Sequence, residues 1–131
     1  MKVLALDYGS ARTGVAVSDP TGVVARPLGV VEGAATEQGI ERVLELARGE
    51  GAERIVVGLP VTLGGERGAQ AEETERFVAA LRAATDLPVE TFDERFTTRL
   101  AQATPARAPE DAAAAAHLLS SYLQSLIVRT T

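Results

Sequence analysis

The order of the hydrophobic patterns along the chain constrains its fold more than any other sequence feature. Three short apolar or alternating segments come first, at residues 2–7, 13–18 and 23–31, with only a few residues between them. Such closely linked segments predict three consecutive antiparallel strands, because a tight turn joins antiparallel neighbours. Pro27 cannot donate a ladder hydrogen bond, so it predicts that the third strand lies at an edge of the sheet.

In the rest of the chain, segments whose apolar residues have helical spacing alternate with segments that have the pattern of strands. The first helix is predicted from apolar residues at helical spacing and ends near Gly49 or Gly51. A buried strand (RIVVGLP), a second helix (residues 70–84), another strand (PVETFDE), a short helix (residues 97–103) and a last helix (Pro109 to about residue 128) follow. The two later strands should lie parallel to the first because crossover helices precede them. The sequence therefore predicts an α/β fold with a five-stranded mixed sheet, an antiparallel three-strand meander plus two parallel strands, flanked by helices.

Length and composition indicate one domain that covers residues 1–131. A chain of 131 residues with 46% hydrophobic content can bury one core of adequate size but not two. The sequence has no Cys, which excludes disulfides and thiolate metal sites. Asp7 interrupts the apolar N-terminus, and no stretch approaches the ~20 apolar residues that a membrane span requires. These features predict a cytoplasmic protein with no membrane partner.

The charge is unevenly distributed along the chain. A formal net charge of −5 argues, taken alone, against a nucleic-acid partner, because phosphates favour a basic surface. Residues 32–86, however, contain eleven acidic residues and six Arg, so the acidity belongs to the middle of the chain. Residues 95–109 contain three Arg and no acidic residue, which predicts a local basic arm; a solvated helix face is the alternative.

Carboxylates occupy positions where three separate segments of the predicted fold should meet. Asp7 ends the first strand, and Asp93 and Glu94 end the last one, at the carboxyl edge where α/β folds place their sites. Because side chains alternate between faces, only one of Asp93 and Glu94 can face Asp7. Asp111 continues the apolar stripe of the last helix, so it should point at the sheet.

Three converging carboxylates without a cysteine predict an oxygen site for one or two Mg²⁺ or Mn²⁺ ions. Two such ions, ~3.5–4 Å apart, can activate a water and stabilise the leaving oxygen of a phosphodiester. Each carboxylate also has a structural alternative. Asp7 could cap the following turn, Asp111 could interact with the helix dipole, and the strand-end acids could pair with nearby Arg side chains.

The chain resembles the YqgF family over essentially its whole length. The resemblance is carried by four motifs in the family's order and spacing: ALDYGSARTGVAVSD, IVVGLP, FDERFTT and DAAAAAHLLSSYL. It implies a ribonuclease H-like fold and a nuclease that matures the 5′ end of precursor 16S ribosomal RNA, or cleaves Holliday junctions. It also implies that the catalytic, metal-binding acids are Asp7, Glu94 and Asp111, which favours Glu94 over Asp93.

Two loops depart from the family pattern. Residues 62–65 read TLGG, where many relatives have Asn-Met-Asp-Gly, and the segment TPARAPE before Asp111 is shorter and less basic. The predicted phosphate contacts are arginines: Arg12, Arg67, Arg95, Arg99 and Arg107. The expected partner is structured RNA, with branched DNA as the related substrate. A homodimer is a further possibility that the sequence does not decide.

Two other functions stay open at this level. A non-catalytic nucleic-acid or protein-binding module on a nuclease-like scaffold would fit the acidity and the short loop. An ATPase or sugar-kinase half is suggested by the Asp-x-Gly sequence at Asp7, but such proteins close two lobes over the nucleotide. One domain of 131 residues supplies only one lobe.

Overall fold

The computed structural model describes residues 1–60, 68–94 and 110–130. Their elements, in chain order, are β1 (Val3–Asp7), β2 (Arg12–Ser18), β3 (Ala25–Glu32), α1 (Glu37–Glu50), β4 (Arg54–Leu59), α2 (Ala69–Ala84), β5 (Val89–Asp93) and α3 (Glu110–Thr130). This order confirms the predicted succession of strands and helices. Strand β3 begins two residues later than predicted, and α3 extends two residues further. The predicted short helix at residues 97–103 lies outside the described residues.

The five strands form one sheet in the order β3-β2-β1-β4-β5. Strands β1, β2 and β3 pair antiparallel, whereas β4 is parallel to β1 and β5 is parallel to β4. The mixed sheet is therefore the predicted meander plus two parallel strands. Pro27 lies on the edge strand β3, as predicted, and β1 is central, so its end at Asp7 is surrounded by other elements.

Side-chain alternation divides the core between two faces of the sheet. On β1, Leu4 and Leu6 pack in the cluster that includes the buried residues of α1 and α2, whereas Val3 and Ala5 pack with α3. All four are fully buried. Because Asp7 follows Val3 and Ala5 at the same spacing of two, its side chain belongs to the α3 face. The fold therefore has three layers, and its site must form between the sheet and α3.

Local signals in the sequence explain where the first helix begins and ends. The Thr36 hydroxyl accepts a hydrogen bond of 3.0 Å from the Gly39 amide, which caps α1 at its N-terminus. Gly51 follows the helix with φ 69°, a left-handed conformation that glycine adopts without steric cost. None of the helices in the described part of the chain combines the length and apolarity that crossing a membrane requires.

Candidate active site

A tight turn between β1 and β2 fixes the position of Asp7. The Thr13 hydroxyl, which is fully buried, accepts a hydrogen bond from the Gly9 amide (3.3 Å) and donates one to the Gly9 carbonyl (3.4 Å). A Cβ atom at Gly9 would lie 2.4 Å from the Arg12 carbonyl oxygen, so the turn can close this tightly only around glycine. The turn therefore places Asp7 and Arg12 at the same end of the sheet.

The alternation of side chains along β5 places Glu94 beside Asp7. Glu90 and Phe92 both contact Tyr122 of α3, so the α3 face of β5 carries every second residue from Glu90 onward. Glu94 continues this row just beyond the strand, and its carboxyl group hydrogen-bonds Asp7. It lies over Gly58 of β4, where a Cβ atom would come within 2.7 Å of Glu94 Oε1. Of the two strand-end acids, Glu94 is thus the one that the structure joins to Asp7.

The start of α3 places Asp111 beside the same strand end. The Asp111 carbonyl oxygen lies so close to β2 that a Cβ atom at Gly14 would be 1.8 Å from it. Gly14 is the ladder partner of Asp7. The charge of Asp111 consequently reaches Asp7 and contributes to its electrostatic environment.

Burial and mutual repulsion shift the titration of both contacting acids. The pKa of Asp7 is raised by burial and by the charge of Asp111, and the hydrogen bond with Glu94 opposes this rise. Burial, the hydrogen bond with Asp7 and the charges of Asp7 and Asp93 raise the pKa of Glu94 to about 7. Both shifts favour retention of a proton by this pair of carboxyl groups, which titrate together.

Asp111 has a different partner. Arg12 Nε lies 3.3 Å from Asp111 Oδ2, and 64% of the Arg12 side chain and 36% of the Asp111 side chain are exposed. Across residues 1–60, 68–94 and 110–130, no group of three or more His, Asp or Glu side chains is placed so that it could hold a metal ion. Asp7 and Glu94 are joined directly, whereas Asp111 is adjacent but paired with a guanidinium. Of the arginines predicted to contact phosphate, Arg12 is in this site, and Arg67, Arg95, Arg99 and Arg107 lie outside the described residues.

Sequence reasoning missed the two glycines that make room for the acids. Gly14 admits the start of α3, and Gly58 admits the Glu94 side chain. Glycine inside a strand often marks a close approach of another group, and that signal was present in both strands. It also missed that Ser10, in the turn after Asp7, donates a 2.8 Å hydrogen bond to Glu73 and so ties the turn to α2.

The chemistry of the two contacting carboxyl groups is compatible with a divalent cation. Half-buried carboxyl groups in contact are stable only when a proton or a positive charge offsets their repulsion. Carboxylate oxygens without sulfur or imidazole are the ligands that Mg²⁺ and Mn²⁺ prefer. The donor chemistry of Asp7 and Glu94 therefore fits a divalent ion, with Asp111 adjacent.

A family profile described as "RuvX: Holliday junction resolvase" matches residues 1–125. A Chloroflexus aurantiacus protein is 41% identical over 132 residues, which cover 94% of this chain and 86% of that protein. A Desulforudis audaxviator protein is 40% identical over 134 residues, covering 95% of both chains. Both of these proteins are provisionally named pre-16S rRNA nuclease.

Solved structures with low sequence identity share the fold. Thermus thermophilus RuvC in complex with a Holliday junction substrate superposes with a TM-score of 0.69 at 18% identity, covering 97% of this chain and 96% of RuvC. The fowlpox virus resolvase, in complex with Holliday junction DNA, gives a TM-score of 0.59 at 14% identity, with 97% and 99% covered. These likenesses confirm the predicted ribonuclease H-like fold.

Proposed function

Because the chain belongs to the family described as RuvX, Holliday junction resolvase, we propose that it is a nuclease that hydrolyses phosphodiester bonds in structured nucleic acid. Its proposed catalytic acids are Asp7, Glu94 and Asp111. The observation that carries the proposal is the contact between the Asp7 and Glu94 carboxyl groups at the sheet edge, with Asp111 beside them. The 5′ end of precursor 16S ribosomal RNA is the favoured substrate because relatives are named for that RNA, and branched DNA is the related one.

The proposed cofactor is Mg²⁺ or Mn²⁺, as one or two ions. Asp7 and Glu94 would hold the metal, and Asp111 would join them once it leaves Arg12. A divalent ion bound there would lower the pKa of a water molecule and stabilise negative charge on the phosphate. Glu94 must lose its proton to act as a ligand, so protons and metal compete for it. Arg12 is accessible to a phosphate oxygen and would position the strand.

The two alternative functions are not favoured. The family profile and the relatives named as nucleases cover nearly the whole chain, which supports a nuclease over a binding module without catalysis. The family profile accounts for residues 1–125 as a whole, including the Asp-x-Gly sequence that suggested an ATPase or sugar-kinase half. A cytoplasmic location follows from the proposed ribosomal RNA substrate. A homodimer stays a prediction that sedimentation equilibrium would test.

The proposal is tested by cleavage of precursor 16S ribosomal RNA and of a DNA four-way junction, with Mg²⁺ and Mn²⁺ compared. Asp7→Asn removes a negative charge while keeping the shape of the side chain, so the fold should persist. We expect its cleavage rate to fall by roughly 100-fold or more, the scale of losing one catalytic group. Asp86→Asn is the matched control, because Asp86 is an exposed acid at the other end of β5.

The two variants distinguish this active site from a contaminant. Asp86→Asn should cleave like the wild type. Cleavage by Asp7→Asn at the wild-type rate would contradict the proposal, whatever the substrate. Binding of either nucleic acid by the wild type without turnover in any divalent ion would instead support the binding-module alternative.

A further inference from the structure

We infer that Arg12 is an internal counter-ion, which competes with divalent cations for Asp111 and leaves when its guanidinium binds a nucleic-acid phosphate. The inference rests on the proposed function, since it assumes that metal and phosphate meet at this site. It assigns Arg12 a role in metal loading as well as in holding substrate. In the absence of both ligands, Arg12 and Asp111 neutralise each other.

Geometry places the pair inside the candidate site. Arg12 begins β2, and Asp111 lies in the first turn of α3, whose backbone crosses β2 at Gly14. Gly14 is the ladder neighbour of Asp7. The contact of 3.3 Å between Arg12 Nε and Asp111 Oδ2 therefore forms beside Asp7 and Glu94, whose carboxyl groups are hydrogen-bonded to each other.

The three acids make two separate sets of contacts. The Glu94 and Asp7 carboxyl groups hydrogen-bond each other, and Asp111 contacts the guanidinium of Arg12. In the part of the chain that the structure describes, no group of three acids is placed so that it could hold a metal ion. The guanidinium contacts Asp111 Oδ2, so a metal ion that uses this oxygen must displace Arg12.

The ion pair between Arg12 and Asp111 is weak enough for Arg12 to exchange Asp111 for a phosphate. Its partners are 64% and 36% exposed, and exposed pairs of this kind contribute little because water and salt screen them. A guanidinium also matches a phosphate at least as well as a carboxylate, through two parallel hydrogen bonds. An incoming phosphate can therefore draw Arg12 away from Asp111 at small cost.

The first test measures metal binding without nucleic acid, by titrating Mn²⁺ into the metal-free protein in a calorimeter. Arg12→Gln removes the competitor and should bind Mn²⁺ about two- to fivefold more tightly than the wild type. Arg12→Lys keeps the positive charge but loses the guanidinium fork, so its affinity should fall between the two.

Arg26→Gln is the matched control. Arg26 is 59% exposed and also pairs with a carboxylate, Glu50 Oε1, at 3.1 Å, but it lies on the edge strand β3 and its partner belongs to α1. The variant makes the same change in net charge and should bind Mn²⁺ like the wild type. Equal or weaker Mn²⁺ binding by Arg12→Gln, with binding abolished by Asp7→Asn, would overturn the inference and leave the proposed function intact. Absence of Mn²⁺ binding in the wild type would overturn both.

The second test follows the guanidinium itself. The Arg12 Nε–H signal in a nitrogen–proton NMR spectrum can be identified by its loss in Arg12→Gln. It should shift when Mg²⁺ is added alone, and also when a DNA four-way junction is added in a chelator, where no cleavage occurs. The Arg26 signal should move in neither case. A junction that binds, by fluorescence anisotropy, without shifting the Arg12 signal would overturn the release step.

Discussion

Burial and the neighbouring carboxyl group of Asp7 both raise the pKa of Glu94. The folded protein holds the proton of Glu94 with a pKa of about 7, against an ordinary value of 4.5. The folded state therefore binds more protons than the unfolded chain across this interval. Burial also raises the pKa of Asp7, so its contribution has the same sign.

The metal-free protein should consequently lose stability as pH rises. The contribution of Glu94 is fully present below pH 4.5 and is lost as pH rises through about 7. Because Glu94 is only partly buried, we expect a loss of about 1–2 kcal/mol rather than the full value of the shift. Urea unfolding at pH 5 and pH 8, in a chelator, measures it. Glu94→Gln should flatten the difference, and an unchanged pH dependence in that variant would contradict the assignment.

Gly14 is the residue whose replacement should move α3. A methyl group there would lie 1.8 Å from the Asp111 carbonyl oxygen, which is backbone and cannot rotate away. We expect Gly14→Ala to lower the free energy of unfolding by about 1–3 kcal/mol, as overpacking does, and to reduce cleavage by displacing Asp111. Gly29→Ala is the control, because nothing lies within 4 Å of a methyl group at that position on β3. Equal urea midpoints for the two variants would contradict this close approach.

At the scale of elements, α3 is tied to the parallel half of the sheet by one buried hydroxyl. The Tyr122 hydroxyl accepts a hydrogen bond of 2.9 Å from Arg54 Nη1 on β4 and donates one of 2.7 Å to Glu90 Oε2 on β5. Its ring meets Phe92 edge-on, with centroids 5.7 Å apart. Strands β4 and β5 and helix α3 therefore share one contact, at the end of the sheet away from Glu94.

Tyr122→Phe tests that tie without removing the ring. The ring contact with Phe92 should persist, and Arg54 and Glu90 should keep their mutual ion pair of 3.3 Å. We expect the free energy of unfolding to fall by about 1–2 kcal/mol, the cost of a lost hydrogen bond beside partly buried charges. Mn²⁺ affinity should change little, because Tyr122 lies three helical turns from Asp111. A urea midpoint equal to that of the wild type would show that the hydroxyl does not stabilise the packing of α3.

At the scale of the whole molecule, features that follow from hydrophobic periodicity can be predicted from the sequence. Contacts that depend on how the elements pack against each other cannot. Hydrophobic spacing predicted the order of elements and the strand end at Asp7, because both are local. It left Asp93 and Glu94 as alternatives, because the face of β5 that meets α3 depends on its pairing with β4. It also missed the contact of Arg12 with Asp111, since that requires α3 to cross β2 at Gly14.

The fold places most of the acidic middle of the chain away from the candidate site. Helices α1 and α2, which belong to that acidic region, cover one face of the sheet, whereas Asp7 belongs to the face that α3 covers. Two acids of the region lie near the site: Glu73, which accepts the hydrogen bond from Ser10, and Glu32, the ladder neighbour of Arg12. At physiological salt the Debye length is about 8 Å, so charges on the far face should be largely screened from a nucleic acid bound at the site. A net charge of −5 is therefore compatible with phosphate binding.

Salt dependence of nucleic-acid binding tests this separation of charge. If Arg12 binds one phosphate, Arg12→Gln should reduce the slope of log affinity against log salt by about one, because one fewer counterion is released. Glu41→Gln removes an exposed charge from α1 and should leave both the slope and the affinity at 0.15 M salt unchanged. Fluorescence anisotropy with a DNA four-way junction, in a chelator and over a series of salt concentrations, gives both quantities. A clear gain in affinity from Glu41→Gln would mean that the acidic layer repels the nucleic acid despite the sheet between them, and an unchanged slope in Arg12→Gln would remove Arg12 from the phosphate contacts.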